Sequence, residues 1–386
     1  MSIVVQKYGG SSVADVAKLE QVAEKVVLAR RAGTDVVVVV SAMGKTTDQL
    51  LALAHQIDAS PPRRELDMLL TTGERVSMAL LSMAIAKRGC EAISFTGSQS
   101  GIITNDRHFD ARIIEVRPFR IEDELARGRV VIVAGYQGMS YRREITTLGR
   151  GGSDTTAIAL AAALGAERAE IYSDVDGVYT ADPRVVPDAR HLPELSYEAM
   201  QEMAEAGAKV LNSTAVELAR RARIAIHARS TFAPGRETVV HEGAAPEGCA
   251  VVGRSDLAEL RADGDAEALG RLLAEADARG VSVRETSVEG GRARALVSSA
   301  GPGWSAARAA LGAALPGLEV EEGLGCVSVV AADLAARPAA VRTALSALAA
   351  ASIAPRSIVT SPLRLGVVVR ASEVDDAVRS VHAVLG

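Results

Sequence analysis

A glycine-rich loop carries the residues of this chain that are best suited to binding an anion. Its three glycines and its arginine are Gly149, Gly151, Gly152 and Arg150. The glycines let the backbone approach a ligand closely, and the arginine adds a planar fork that suits a carboxylate or a phosphate. Three polar residues follow: Ser153, Asp154 and Thr155. They are expected to cap a helix from about Thr155 to Leu164, whose first amides lack partners within the helix. We therefore predict that this loop binds an anion.

A second glycine turn follows a short buried strand predicted at Ile3–Gln6. It reads Lys7-Tyr8-Gly9-Gly10-Ser11-Ser12 and precedes a helix predicted from Ala14 to about Arg31. A strand, a glycine turn and a helix in this order place backbone donors against a phosphate. The lysine precedes the glycines, so the turn is neither a Walker A loop nor a dinucleotide fingerprint. By itself, Lys7 is explained equally well as a solvated lysine at a strand end.

Polar residues also follow the next predicted strand, Val36–Val40. This β-branched run is typical of a parallel strand that is covered on both faces, and Ser41 and Thr47 come after it. Ligands of open α/β sheets bind at the carboxyl ends of such strands. Further on, a helix is predicted from about Arg64 to Lys87, and Glu74 lies in a polar cluster in its middle. The glycine of this cluster, Gly73, would destabilise the helix by about 1 kcal/mol relative to alanine. A plain surface turn would explain that cluster as well.

The alternation of strands and helices predicts the domain organisation. Residues 1–235 are expected to form a three-layer α/β domain with a mainly parallel sheet, in which 97–118 forms a hairpin flap. Prolines and glycines between 234 and 248 mark a linker. Beyond it, a βαββα pattern occurs twice and predicts two small α+β modules, 250–322 and 323–386.

Composition and charge exclude several classes of protein. The chain has 386 residues, 3% aromatic residues and a net charge of −5, which argues against a general nucleic-acid or membrane surface. We expect no apolar run to be long enough to span a membrane, and the N-terminus is too polar for a signal peptide. The three cysteines show no paired spacing, and no histidine has a partner at metal-ligand spacing. We therefore expect a cytoplasmic protein without a structural metal site.

Three motifs occur in an order that resembles aspartate kinase (aspartokinase), of the amino-acid kinase superfamily. They are the Lys7–Ser12 turn, the Thr146–Thr156 loop, and the run Tyr172–Arg184, which contains a tight-turn signal at Asp176-Gly177 and ends in Asp182-Pro183-Arg184. The resemblance extends through about residues 3–232, including Gly207–Leu211. It implies an amino-acid kinase domain followed by two ACT-like modules.

The resemblance also implies a reaction, in which the γ-phosphoryl group of MgATP moves to the β-carboxylate of L-aspartate. The product, 4-phospho-L-aspartate, would open the aspartate-family pathway to lysine (through diaminopimelate), threonine and methionine. The residues agree with this chemistry, because a carboxylate needs no general base, only neutralisation of the charge it shares with the phosphate. Lys7, the amides of Gly9 and Gly10, Arg150 and the helix start at Ser153–Thr155 could supply that neutralisation.

By resemblance, roles can be carried onto individual residues. Lys7 would lie over the transferred phosphoryl group, and Asp154 would orient Lys7 and the loop. Glu74 would meet the substrate ammonium, and Arg150 the α-carboxylate. The remaining expected aspartate-binding residues are Thr47, Gly151, Gly152 and Ser153. The expected ATP-binding residues are Lys7, Gly9, Gly10, Ser11, Ser41, Ser173, Asp174, Tyr179, Asp182, Arg184 and Lys209.

The chain departs from the family pattern at several positions. Ser173 replaces the usual threonine, and Asn212-Ser213-Thr214 replaces a segment that usually carries His and Arg. In the C-terminal part, Arg261–Asp265 lacks the usual Pro-Gly turn of the effector loop, and only Val359–Arg364 remains of the polar effector strand. We therefore expect little or no inhibition by lysine or threonine. The modules should still fold and join copies of the chain into a homodimer or a higher oligomer.

Three other functions are compatible with parts of the sequence. A related kinase acting on another carboxylate, such as glutamate or N-acetylglutamate, would share the motifs, but an acylated amine would not favour the Glu74 carboxylate. A catalytically weak amino-acid sensor could use the same pocket, but it would not need the set Lys7, Asp154 and Arg184. A nicotinamide-dependent oxidoreductase would need a dinucleotide fingerprint that the chain lacks.

Overall fold

Two compact units make up the computed structural model, which describes residues 2–58, 61–149, 151–233, 235–243, 249–300, 303–332, 334 and 337–386. The first unit comprises residues 1–178, 191–204 and 209–246, and the second comprises 179–190, 205–208 and 247–386. Among the residues with sequence-based predictions, Arg150 and the linker residues Pro234 and 246–248 lie outside the described residues. The boundaries 1–235, 250–322 and 323–386 remain predictions.

A mainly parallel sheet of eight strands forms the centre of the first unit. The strands before residue 243 are β1 Ile3–Tyr8, β2 Asp35–Val40, β3 Ala92–Phe95, β4 Ile102–Thr104, β5 Ile113–Val116, β6 Val130–Ala134, β7 Gln137–Ser140, β8 Ile145–Thr147, β9 Arg168–Ser173, β10 Val178–Tyr179, β11 His191–Leu192, β12 Glu194–Leu195, β13 Ile226–Ser230 and β14 Glu237–Val240. The order in the central sheet is β12-β14-β13-β9-β1-β2-β6-β3. Its one antiparallel pair is β13 with β14.

Helices cover both faces of this sheet. They are α1 Val16–Arg31, α2 Thr46–Ile57, α3 Arg63–Leu70, α4 Thr72–Lys87, α5 Phe119–Ala126, α6 Gly152–Ala163, α7 Tyr197–Ala206 and α8 Ser213–Ala222. On one face, α1 and α4 pack against Tyr8 and against alternate valines of β2. Helix α6 packs against β1, β2 and β9, and α8 packs against α6. The predicted three-layer α/β architecture is therefore confirmed.

The carboxyl ends of the central strands lie at one edge of the sheet. Tyr8 of β1 pairs with Val40 of β2 and with Tyr172 of β9, and Val40 pairs with Ala134 of β6. Gly9, Ser41 and Gly135 directly follow β1, β2 and β6, and Ser173 is the last residue of β9. The register therefore brings the glycine turn after β1 beside the polar residues after β2 and at the end of β9.

The predicted flap forms part of a small sheet with the order β5-β4-β7-β8. Strands β4 and β5 are the antiparallel hairpin expected within 97–118, and β4 also pairs with β7 in parallel. Strand β8 ends at Thr147, two residues before Gly149. The small sheet thus leads directly into the glycine-rich loop.

The helix predicted from about Arg64 to Lys87 is interrupted. Helix α3 ends at Leu70 and α4 begins at Thr72, so Gly73 and Glu74 lie in the first turn of a helix rather than in the middle of one. By length and composition alone the stretch 63–87 could cross a membrane, contrary to our expectation for the whole chain. Asp67, Glu74 and Leu81 are nevertheless buried within the protein, a pattern that is typical of a core helix.

A buried carboxylate holds a polar network within the central sheet. Glu170 of β9 accepts hydrogen bonds from Gln6 Nε2 (2.9 Å) and from the Tyr172 hydroxyl (3.1 Å). It also pairs with Arg168 Nε at 2.9 Å and with Arg229 Nη1 at 2.8 Å. These contacts connect β1 and β9, whose ends belong to the edge described above, with β13.

The second unit contains one antiparallel sheet that spans both predicted modules. Its strands are β15 Ala250–Asp263, β16 Val283–Glu289, β17 Arg292–Ser298, β18 Glu319–Val330, β19 Ser357–Thr360 and β20 Arg364–Arg370, in the order β16-β17-β15-β18-β20-β19. Its helices are α9 Ala266–Ala278, α10 Trp304–Ala314, α11 Pro338–Ala350 and α12 Val374–Leu385. The predicted repetition of βαββα is confirmed by this element order.

Two separate cores that include helix residues lie against this sheet. One contains Leu272 of α9 and Leu311 of α10, and the other contains Leu348 of α11 and Val381 of α12. Strand β15 contributes to both, because its start pairs with the end of β18 and its later part pairs with β17. The long strands β15 and β18 thus join the two cores into one body.

We predict that Glu170→Gln lowers the free energy of unfolding of the first unit by about 3 kcal/mol. The substitution removes the buried counter-charge of Arg168 and Arg229, which then keep only the more exposed Glu167 and Glu237. Removing one partner of a buried pair costs about 3–5 kcal/mol. Glu167→Gln is the matched control, because Glu167 pairs with Arg168 at an exposed position. Urea unfolding of the three proteins measures the difference. Equal losses in the two variants would contradict the prediction.

Candidate active site

An ion pair between β1 and α6 lies at the carboxyl edge of the sheet. Lys7 Nζ is 2.6 Å from Asp154 Oδ1, and the two side chains are 12% and 11% exposed. Because side chains alternate along a strand, Lys7 points toward α6 while Tyr8 packs on the opposite face. Asp154 lies in the first turn of α6, where the helix dipole favours a negative charge. The cation is therefore held at a fixed place beside a helix N-terminus.

The turn after β1 packs closely against the turn after β2. The Gly10 carbonyl accepts a hydrogen bond from Gly44 N (3.0 Å). A Cβ on Gly10 would lie 2.8 Å from the Ala42 carbonyl oxygen, so only glycine fits there. The Gly9 amide donates to the Tyr172 carbonyl at 3.2 Å. The Gly9 amide is thus paired within the protein, and its expected role as a phosphate donor remains a prediction.

Three of the predicted hydroxyl residues lie around these turns. Ser11 is exposed in a short 3-10 helix, Gly10–Val13, whose neighbour Ser12 hydrogen-bonds to Thr231 at 2.6 Å. Ser41 directly follows β2, and its amide donates to the Tyr8 carbonyl at 3.1 Å. Thr47 lies in the first turn of α2. All three belong to the same edge of the first unit.

Glu74 is a buried carboxylate with only one of its oxygens satisfied. Its Oε1 accepts a hydrogen bond from the Ala42 amide at 3.2 Å. Within the described part of the chain, Glu74 Oε2 is buried without a hydrogen-bond partner. Burial raises the pKa of Glu74 to about 7, although the backbone amides of Ala42 and Glu74 oppose the shift. A cationic group placed at Oε2 would satisfy the oxygen and favour the ionised form.

The glycine-rich loop does not begin its helix as expected. Gly151, with φ +73°, is the residue before the first turn, and α6 starts at Gly152 rather than near Thr155. The predicted side-chain cap is therefore wrong, and Ser153 and Asp154 lie within the first turn. A Cβ on Gly151 would lie 2.2 Å from Asn212 Nδ2, so glycine is needed for both conformation and space. Arg150 lies outside the described residues.

The predicted nucleotide-binding residues fall into two groups. Ser173, Asp174 and Lys209 belong to the first unit, and Tyr179, Asp182 and Arg184 to the second. The guanidinium of Arg184 pairs with both oxygens of Asp182, at 3.0 and 2.6 Å, and its side chain is 80% exposed. These six assignments remain predictions.

The segment that carries the second group is anchored within the second unit. Thr180 O accepts a hydrogen bond from Val251 N at 2.7 Å, and Thr180 Oγ1 lies 2.9 Å from His382 Nε2. Ala181 and Val186 are buried in the core beneath α11 and α12. The exposed pair of Asp182 and Arg184 is thus part of a segment whose other residues pack into the second unit.

Several residues near the site were missed by sequence reasoning. Tyr136 has a φ of +67°, and burial together with nearby carboxylates, Glu74 among them, raises its pKa to about 12. Asn212 caps α8 by accepting from Thr214 N at 3.0 Å, and it also contacts Gly151. Asp67 is fully buried and accepts hydrogen bonds from three residues, His108, Phe109 and Thr147. Only Asn212, an N-cap residue before a helix, carried a local signal.

No group of three or more potential metal ligands is found among the described residues. The cationic groups that the site does offer are Lys7 and, by prediction, Arg150 and Lys209. Its geometry suits an anionic ligand at Lys7 and a cationic ligand at Glu74. A zwitterionic amino acid that meets a phosphate would supply both charges.

Comparisons with known proteins agree with this geometry. A sequence model of the amino acid kinase family matches residues 2–230. The aspartokinase of Mycolicibacterium smegmatis is 46% identical over 411 residues, covering 100% of this chain and 96% of that protein. The aspartokinase of Corynebacterium glutamicum is 43% identical, covering 99% and 96%. The crystal structure of E. coli aspartokinase III in complex with aspartate and ADP has a TM-score of 0.84 at 26% identity, and covers 99% of each chain.

The resemblance inferred from the three motifs is thereby confirmed, and it extends over the C-terminal modules as well. The family model spans more than half of the chain, and the two relatives align with nearly all of it. This chain belongs to the amino acid kinase family, among the aspartokinases.

Proposed function

We propose that this protein transfers the γ-phosphoryl group of MgATP to the β-carboxylate of L-aspartate. The product is 4-phospho-L-aspartate, an acyl phosphate, and the reaction opens the aspartate-family route to lysine, threonine and methionine. Magnesium enters as part of the nucleotide substrate. The relatives named aspartokinase, and the solved relative that holds aspartate and ADP, support this proposal.

Glu74 is the observation that carries the choice of acceptor. A free α-ammonium group would donate to its unsatisfied Oε2 and stabilise the buried charge. An N-acylated amino acid has no such charge, and a dicarboxylate without an amine would add a second anion. Glu74 therefore favours an amino acid with a free α-amino group.

Lys7 is proposed to neutralise the charge that accumulates during phosphoryl transfer. The acceptor carboxylate and the phosphate are both anionic, so catalysis depends on positioning and electrostatic stabilisation. Asp154 holds the lysine ammonium at 2.6 Å and so keeps it in place before the substrates bind. The start of α6 adds the partial positive charge of a helix N-terminus on the same side.

The remaining roles are proposed as the resemblance implies them. Arg150 would bind the α-carboxylate in a forked arrangement, with Thr47, Gly151, Gly152 and Ser153 around the substrate. Ser11, Ser41, Ser173, Asp174, Tyr179, Asp182, Arg184 and Lys209 would bind the nucleotide, with Gly9 and Gly10 allowing its close approach. We also propose a cytoplasmic homodimer or higher oligomer, assembled through the C-terminal modules.

A coupled assay of ADP release tests the proposal. The acceptors are L-aspartate, L-glutamate, N-acetyl-L-aspartate, N-acetyl-L-glutamate and succinate, each with MgATP. We expect kcat/KM to be higher with L-aspartate than with any of the other acceptors. Preference for an N-acetylated acceptor would support a related kinase instead. Binding of aspartate without turnover would support a sensor.

We predict that Lys7→Ala lowers kcat far more than it raises the KM for aspartate. Loss of one donor that acts on transition-state charge costs about 2.7–4 kcal/mol, or about 10²–10³ in rate. Steady-state kinetics measure the effect, and Lys87→Ala, at an exposed lysine, is the matched control. A near-normal kcat would show that Lys7 is only a strand-end residue.

Arg150→Lys is predicted to raise the KM for aspartate and to leave the KM for ATP nearly unchanged. An ammonium group cannot reproduce the two parallel bonds of a guanidinium fork. Arg220→Lys, an exposed arginine on α8, controls for the exchange itself. If the KM for ATP rises instead, Arg150 belongs to the phosphate site and the assignment is wrong.

The affinity for aspartate is predicted to depend on pH through Glu74. Below about pH 7 the free carboxyl is protonated and loses its attraction for the ammonium group, so the KM for aspartate should rise by up to about tenfold per pH unit as the pH falls. Above pH 7 the KM should level off. Measurements from pH 5.5 to 8.5 test this, and Glu74→Gln should give a high KM that no longer follows this titration. A flat wild-type profile would contradict the assignment.

We predict weak or absent inhibition by lysine, threonine and their mixture. Strand β15 stays paired up to Asp263, and Asp265 caps α9 by accepting from Glu267 N at 2.9 Å, so a single residue, Gly264, separates strand from cap. Such a short turn offers few donors to an effector, which must bind the inactive state better than the active one. Titration into the aspartate-dependent assay is the measurement. Strong inhibition at effector concentrations below about 1 mM would reveal a working allosteric site.

A further inference from the structure

Asp67 of α3 is a fully buried carboxylate that connects three segments of the first unit. Its Oδ1 accepts hydrogen bonds from Thr147 Oγ1 at 2.6 Å and from Phe109 N at 3.0 Å. Its Oδ2 lies 2.6 Å from His108 Nδ1. A buried carboxylate is costly unless its oxygens are satisfied, and here donors from outside its own helix satisfy both.

Two of the three donors, Phe109 N and His108 Nδ1, belong to the turn 105–112 between β4 and β5, here named the flap turn. Phe109 has a φ of +70°, an uncommon backbone conformation for a non-glycine residue. Its amide and the ring of the preceding His108 both bind Asp67. The flap turn also reaches the glycine-rich loop, because a Cβ on Gly149 would lie 2.8 Å from Asp110 Oδ1. Asp67 therefore holds the segment that lies against this loop.

The remaining donor, Thr147, is part of the strand that leads into the loop. Thr147 is the last residue of β8 and precedes Arg150 by three positions. Its backbone carbonyl also accepts from Ala111 N of the flap turn at 2.8 Å. Asp67 itself precedes Glu74 by seven residues across the junction of α3 and α4. That junction is held separately, since Gln137 Nε2 donates to the Thr71 carbonyl at 3.1 Å.

We propose that Asp67 is a positioning residue that sets the distance between Glu74 and the glycine-rich loop, and thereby the affinity and chain-length selectivity for the acceptor. The proposal rests on the function proposed above. The ammonium and the α-carboxylate of an amino acid are a fixed distance apart, so their two binding groups must be held to within a fraction of an ångström. Asp67, on the helix that directly precedes α4, connects this region to the flap turn and to the strand that leads into the glycine-rich loop.

The nucleotide should not respond to this spacing. Asp67 has no hydrogen bond with Lys7, Ser41 or Ser173 among the described contacts, and those residues take their positions from the central sheet. A change at Asp67 should therefore alter the KM for aspartate and leave the KM for ATP unchanged. Looser spacing should also narrow the preference for aspartate over glutamate, whose side chain is one methylene longer.

Kinetics of three variants test the proposal. Asp67→Asn removes the charge, Thr147→Val removes the donor from β8, and His108→Phe removes the donor from the flap turn. Thr104→Val is the matched control, because it deletes the buried hydroxyl pair of Thr104 and Thr146 (2.6 Å) in the same small sheet without touching Asp67. Thermal unfolding of each protein reports its general loss of stability.

We expect Thr147→Val and Asp67→Asn to raise the KM for aspartate at least about tenfold, and to lower the kcat/KM ratio of aspartate to glutamate. The KM for ATP should stay within twofold of wild type. Combining Thr147→Val with Asp67→Asn should add little, since the two act through one contact. If Asp67→Asn fails to fold, Thr147→Val and His108→Phe decide the question.

Two results would overturn the proposal. One is an unchanged KM for aspartate in the folded variants. The other is an equal rise in Thr104→Val, which would make Asp67 a structural residue only. Absence of aspartate turnover in the wild type would overturn the proposed function, and this proposal with it. Wild-type turnover with unaffected variants would overturn the positioning role alone.

Discussion

The ion pair between Lys7 and Asp154 is the interaction on which the rest of the site depends. Both side chains are nearly buried, so their attraction is stronger than that of a pair in water, and losing either partner would leave a poorly solvated charge. The pair exists because parallel pairing places the end of β1 beside the start of α6. The register of the central sheet therefore determines where the Lys7 ammonium lies, and the buried Glu170 network helps to hold that register.

Lys7 and Glu74, the charged residues at the two ends of the site, differ in the partners that they have in the absence of substrate. Lys7 already has its partner, whereas the Glu74 carboxylate is left with one unsatisfied buried oxygen. Such an oxygen costs stability in the free protein, and a substrate ammonium would recover that cost on binding. The difference gives each end a distinct task. In the function that we propose, Lys7 would stabilise charge during the reaction, and Glu74 would select the acceptor.

Sequence patterns predicted the parts of this protein that depend on local chemistry. The β-branched run before Ser41 and the twofold βαββα order were recognisable, because strands and helices have their own periodicities. The start of α6 at Gly152 was not, since Gly151 packs against Asn212, 61 residues away in the chain. The contacts of Asp67 span 41 to 80 residues and leave no local signal. The pairing of Arg184 with Asp182 could also not be predicted from the sequence.

A double-mutant cycle on kcat tests the central claim most directly. It compares the wild type with Asp154→Asn, with Lys7→Ala and with the protein that carries both substitutions, at saturating aspartate and MgATP. If Asp154 acts by holding Lys7, its loss should slow turnover in the presence of the lysine and matter little once the lysine is gone. The double variant should then be about as slow as Lys7→Ala alone. Fully additive losses would show that the two residues act independently, and would contradict the account.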